Sequence, residues 1–167
     1  MPIFGSKDKS GDLACVFSSA DVPGFHTGVP MRVTQEDFHQ RLSIDLRFFS
    51  KDSTSKYLPY NQIISVGTAS EKEIIEQDKS VIGRAAVGGL LLGPLGAVVG
   101  GLSGTGSKKK TSYRNFFIIN YCPADTPDDI KVISFEIVGA SNRWDKFIDE
   151  LKKKIPQQPE QKSSQYL

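Results

Sequence analysis

Residues 101–111, GLSGTGSKKKT, bring glycine, hydroxyl and ammonium groups together in the manner of a loop that cradles phosphate. A nucleotide phosphate loop needs Lys directly after its last Gly, so that the ammonium reaches the β and γ phosphates. Ser107 stands there instead, after Gly106. The apolar residues upstream read as helix rather than strand, and no apolar strand ends in an Asp that could hold a metal, so nucleotide hydrolysis is not expected. His26 and His39 have no carboxylate or cysteine at ligand spacing, which argues against a metal site and against a nucleophilic triad. The acidic pairs Asp128–Asp129 and Asp149–Glu150 read as solvated loop and helix residues rather than as a general acid and base. Cys15 and Cys122 lie far apart in the chain and suit two free, mostly buried thiols in a reducing compartment. The expectation is a protein that is not an enzyme, with no catalytic residue, no metal and no cofactor.

The chemistry that remains is that of close backbone packing. From Val81 to Gly106 the only charge is Arg84, and Lys108, Lys109 and Lys110 follow at once. Small residues recur at a spacing of four: Ala85, Gly89 and Gly93 in the first half, then Gly96, Gly100 and Gly104 in the second, with Leu90, Leu91, Leu92 and Leu95 between them. On a helix such a row is a groove without side chains that lets another backbone approach, as in membrane helix pairs. Glycine costs about 1 kcal/mol relative to Ala in a helix interior, so these helices need packing or lipid to form.

Gly93–Pro94 divides the run. One straight span would leave the two flanks on opposite sides of a membrane, yet neither flank looks like a complete domain. An α-hairpin turning at Gly93–Pro94 resolves this, with each arm ~15–18 Å long, about half a bilayer. It places Arg84 and Lys108–Lys110 together at the open end, where cations meet anionic headgroups. The same hairpin could instead pair with a protein partner or a second copy, or pack back on its own sheet.

Charge follows the same division. Residues 1–80 carry 9 basic and 11 acidic groups, residues 81–110 carry 4 and none, and residues 111–167 carry 8 of each. The basic surplus therefore belongs to the glycine-rich segment. Residues 1–11 have no secretory pattern and read as a flexible start, and the polar stretch 156–167 reads as a disordered tail. The expected location is the cytoplasm or the cytoplasmic face of a membrane.

The elements around the insertion read mostly as strands. Leu13, Cys15 and Phe17 alternate within 12–19, and Leu42, Ile44, Leu46 and Phe48 alternate against Arg41, Ser43, Asp45 and Arg47. Residues 20–30 are turn chemistry. Residues 56–58, 62–68 (Ile64 and Val66 sharing a face), 72–76, 116–121 and 131–138 read as further short strands. Then the period changes: Trp144, Phe147, Ile148, Leu151 and Ile155 form one helical stripe, with Ser141 or Asn142 as N-cap, Lys152–Lys154 in the last turn and Pro156 as the stop. Trp144 is expected in the core. The fold class is α+β, with six or seven antiparallel strands in a bent sheet or partly open barrel, one C-terminal amphipathic helix and an inserted glycine-rich α-hairpin.

This order of elements, and the segments LSIDLRFF and KYLPYNQIISVGT, resemble the pleckstrin-homology-like superfold, including its GRAM-type and bacterial variants. There a strand, a proline turn and a strand run I-P-x-x-x-I-x-S-V; here the stretch is Leu58, Pro59, Tyr60, Asn61, Gln62, Ile63, Ile64, Ser65 and Val66. The chain is also similar to bacterial and phage-type proteins in which such a domain is interrupted by a glycine-rich hairpin. The resemblance covers residues 12–155 less the insertion, giving a discontinuous domain at 12–80 and 111–155 around an insertion at 81–110. It implies binding of lipid headgroups, peptides or other domains. The basic signature of phosphoinositide-binding members is not visible between Ser19 and Met31. The partner is expected to be a lipid membrane or a protein, with homo-oligomerisation. Nucleic acid is not expected, because alternation leaves Phe48–Phe49 and Phe116–Phe117 one exposed ring each. The competing function is that of a soluble adaptor or regulator, of phage or mobile-element type, that uses the hairpin to bind a protein or itself.

Overall fold

A computed structural model describes residues 12–46, 55–78, 86–87, 89–93, 114–139 and 143–156. Strands β1 (Leu13–Asp21), β2 (Pro30–Glu36), β3 (Arg41–Leu46) and β4 (Lys56–Pro59) run as an antiparallel meander. Strands β5 (Ile63–Ser70), β8 (Asn115–Tyr121) and β9 (Lys131–Ile137) form the other half, and the seven join in the order β4-β3-β2-β1-β9-β8-β5. Period-two patterning fixes the register, because a slip of one residue would turn every buried side chain outward. Cys15 faces Val33 and Phe17 faces Met31, while Val33 in turn faces Ile44, and all five are buried. Helix α2 (Arg143–Lys154) closes this core with Phe147, Ile148 and Leu151, and Phe17, Phe117, Phe135 and Phe147 meet there with ring centroids 5.2–6.1 Å apart. Trp144 is only partly buried and packs against the rim. The N-cap positions Ser141 and Asn142, and Phe48 and Phe49, lie outside the described residues.

Several expectations are corrected. Strand β2 is not among the expected strands, and its first residue, Pro30, closes the stretch read as turn chemistry; Pro is tolerated at a strand's first residue. The expected strand at 72–76 is helix α1 (Glu71–Asp78). Its start is a capping box: the Ser70 N–H and hydroxyl donate to the Glu73 carboxylate at 2.7 Å, and the Glu73 N–H donates back to the Ser70 hydroxyl at 3.3 Å. Those bonds hold the Glu73 carboxyl below its ordinary pKa. Ile64 and Val66 do not share the buried face. A bulge between Ile63 and Ser65 inserts a residue, so Ile63 and Val66 reach the core together.

Strand β8 departs most from expectation. Phe117 and Ile119 enter the main core, while Phe116 and Ile118, equally buried, belong to a second apolar cluster on the opposite face of the sheet. A strand buried on both faces needs a cover on each. The cover of the second face comes from the segment between β5 and β8.

Candidate functional site

That segment leaves and returns at one point. Ser70 at the end of β5 stands opposite Asn115 at the start of β8, and the Glu71 N–H donates to the Arg114 carbonyl at 2.9 Å. Arg114 locks the neck. Its guanidinium grips Glu136 of β9 through Nε–Oε1 at 2.9 Å and Nη2–Oε2 at 2.8 Å, lies 3.9 Å from Glu71, and sits 5.2 Å over the Phe116 ring. A two-pronged carboxylate bond of this kind fixes orientation as well as charge, and it raises the Arg114 pKa further.

Beyond α1, β6 (Ala86–Val87) and β7 (Leu90–Leu91) pair as a small antiparallel ribbon, turning through Gly89 at φ +83°. Leu90 is 6% exposed and Leu92 is fully buried, both seated with Ile74 of α1 against Ala69, Phe116 and Ile118. Burial of each leucine contributes about 1.5–3 kcal/mol. Asn120 of β8 fixes the main chain between them: its Oδ1 accepts the Leu91 N–H at 2.7 Å and its Nδ2 donates to the Leu91 carbonyl at 2.8 Å. Ser65 donates to the same Oδ1 at 3.2 Å and sets the orientation of the amide.

Two glycines make the fit. A Cβ on Gly67 of β5 would lie 2.5 Å from Leu90 Cδ1, and one on Gly93, at φ +56°, would lie 3.0 Å from Val132 of β9. Among the described residues the seam is apolar and amide-lined, with the Ser65 hydroxyl on Asn120. The Ser134 hydroxyl is buried with no hydrogen-bond partner. Among the described residues no group of His, Cys, Asp or Glu could hold a metal ion, and no helix is long and apolar enough to cross a membrane.

Of the residues singled out by sequence, Leu90, Leu91, Leu92, Gly89 and Gly93 are brought together here. They form strand and turn against their own sheet; the α-hairpin expected through residues 81–106 is not the conformation of 86–87 and 89–93. The physical reason is that the outer face of β8 offers Leu90 and Leu92 an apolar seat and Leu91 a main-chain partner. Arg84, Ala85, Pro94, Leu95, Gly96, Gly100, Gly104, Lys108, Lys109 and Lys110 lie outside the described residues. Sequence reading missed Gly67, Ile74, Arg114 and Asn120. The signals were present: Ser70-x-x-Glu73 as a capping box, Phe116–Ile119 as an unbroken apolar run, and a glycine inside a strand, which marks close backbone approach.

Over residues 34–136, more than half of its length, the chain is similar to a family model described as a glycine zipper containing PH domain. The match runs from within β2 to within β9 and includes the whole segment between β5 and β8. No curated protein and no solved structure matches the chain.

Proposed function

The chain belongs to the family of glycine-zipper-containing PH domains, and from that premise we propose that this non-catalytic binding module presents its glycine-rich insertion to the cytoplasmic face of a membrane, where copies associate. The single observation that carries this reading is the out-and-back neck at Ser70 and Asn115. Both ends of the insertion are held at one edge of the same sheet, so the segment is displayed from one side of the domain. Residues 86–87 and 89–93 act as a strap that seats the base of the insertion. The apolar residues beyond Gly93, including Leu95, Gly96, Gly100 and Gly104, are left to make the external contact. Lys108–Lys110 and Arg84 supply the cations for anionic headgroups.

Flotation of the full chain with anionic vesicles tests this. Replacing Lys108–Lys110 with Gln is expected to weaken binding on the order of a hundredfold, at about 1 kcal/mol per lysine near an anionic surface. Leu95→Asp with Val99→Asp is expected to abolish flotation while near-ultraviolet circular dichroism stays unchanged. Flotation that ignores both sets of changes ends the proposal.

A soluble adaptor is the second reading. It is favoured by the burial of Leu90 and Leu92 against protein rather than lipid. A monodisperse chain without detergent that never floats would select it.

A further inference from the structure

Strap β6–β7 covers the second face of the sheet with little structure of its own. It pairs two residues with two, and a two-stranded ribbon is marginal by itself in water, so its place depends on the surface it meets. Leu90 and Leu92 seat it with Ile74 against β5 and β8, and the Asn120 amide binds both main-chain groups of Leu91 at 2.7 and 2.8 Å. Gly89 at φ +83° stands at its turn and Gly93 at φ +56° at its end. Glycine passes between left- and right-handed backbone at little cost, which makes both positions hinges. The neck is held differently, by the charged grip of Arg114 on Glu136 at 2.8 and 2.9 Å. Loss of the strap's apolar contacts therefore leaves the neck fastened.

The covered face also holds an unpaired polar group. Val132, Ser134 and Glu136 alternate along one side of β9. A Cβ on Gly93 would lie 3.0 Å from Val132, so the strap ends on that residue, and Arg114 at the neck binds Glu136. Ser134 stands between these two anchors, fully buried, with no hydrogen-bond partner for its hydroxyl. A buried hydroxyl without a partner retains its whole desolvation cost, and that cost falls away when water reaches it. Ser134 thus opposes the covering of this face, while the leucines and the Asn120 amide favour it.

We propose that the strap is a latch that exchanges between the sheet and an anionic bilayer, so that Leu90 and Leu92 leave β5 and β8 when the insertion engages the membrane. This inference rests on the membrane reading above and adds a regulatory step to it. Lipid hydrocarbon removes leucine from water as the sheet does, so the transfer keeps the hydrophobic gain and gives up the bonds to Asn120. A surface shifts a conformational equilibrium only by its different affinity for the two states. Here that difference is the pair of leucines, seated in protein in one state and in lipid in the other. Docking of the strap and binding of the membrane therefore oppose each other by the same factor.

The test is a disulfide that closes the latch. A Cβ at position 67 lies 3.5 Å from Leu90 Cγ, within reach of a disulfide, so Gly67→Cys with Leu90→Cys is made in the full chain carrying Cys122→Ser, Cys15 being buried. Flotation with anionic vesicles is then read for the oxidised and the reduced form of the same protein. Reduction is expected to tighten vesicle binding roughly tenfold or more, because it restores the open state. Asn120→Ala, which loosens the strap without a crosslink, is expected to bind vesicles roughly tenfold more tightly than the parent. The near-ultraviolet spectrum of the phenylalanine cluster checks that each chain keeps its main core, and where the crosslinked chain loses it, Asn120→Ala decides. Equal flotation of the oxidised and reduced forms, or binding by Asn120→Ala no tighter than the parent's, overturns the latch and leaves the membrane reading standing. A parent chain that does not float ends both.

Discussion

At Gly67 the absence of a side chain decides how Leu90 of β7 docks. The position lies inside an edge strand, where glycine usually weakens the structure, and it is occupied by glycine because Leu90 fills the space a Cβ would take. Gly67→Val is therefore expected to destabilise the chain by about 1–3 kcal/mol through overpacking, read by urea unfolding. The same substitution should leave the main core unmoved, since Val66 and Gly67 face opposite sides of the sheet. A near-ultraviolet spectrum of the phenylalanine cluster like that of the parent would confirm that separation. Glycine in a strand was visible in the sequence as a mark of close approach, but the approaching residue was not. Leu90 is 23 positions away, and no local period links the two.

At the scale of elements, the strap β6–β7 depends on one side chain. Asn120 satisfies both main-chain groups of Leu91 from a neighbouring strand, and a two-residue ribbon has little else to hold it. Asn120→Ala would leave both Leu91 groups without that partner at about 1–3 kcal/mol each. Amide exchange at Leu91 is expected to accelerate on the order of tenfold to a hundredfold, while amides of β1 and β2 keep their protection. Unchanged exchange at Leu91 would show that the strap is held by leucine burial alone. Helix α1 starts on a local device, the Ser70-x-x-Glu73 capping box. The apolar pair Ile74–Ile75 is too short to establish a helical period, so residues 72–76 read as strand.

For the whole molecule, burial sets the response to alkali. Desolvation of Cys15 raises its thiol from 9.0 to about 11, opposed in smaller measure by its bond to the Val16 carbonyl and by Arg143. Burial, and then the Asp37 carboxylate, push the Tyr60 hydroxyl upward as well. In both cases the folded group ionises at higher pH than the unfolded one, so the stability it confers is complete below the unfolded value and is lost as pH rises through the folded value. Unfolding free energy is expected to decline between about pH 9 and 11, less steeply in Cys15→Ala, as measured by urea titration across that window. A flat profile in the parent would contradict the burial of both groups. The sequence by itself determined strands β1, β3, β4, β5, β8 and β9 and the amphipathic helix, because periods of two and 3.6 are local properties and a half-buried surface needs them. Only the tertiary structure decided that β8 is covered on both faces and that Leu90–Leu92 forms strap rather than helix. Glycine and leucine carry little conformational preference strong enough to resist a partner, so that segment takes the form of the surface it meets, and that surface exists only once Gly67, Phe116 and Asn120 have been brought together by the sheet.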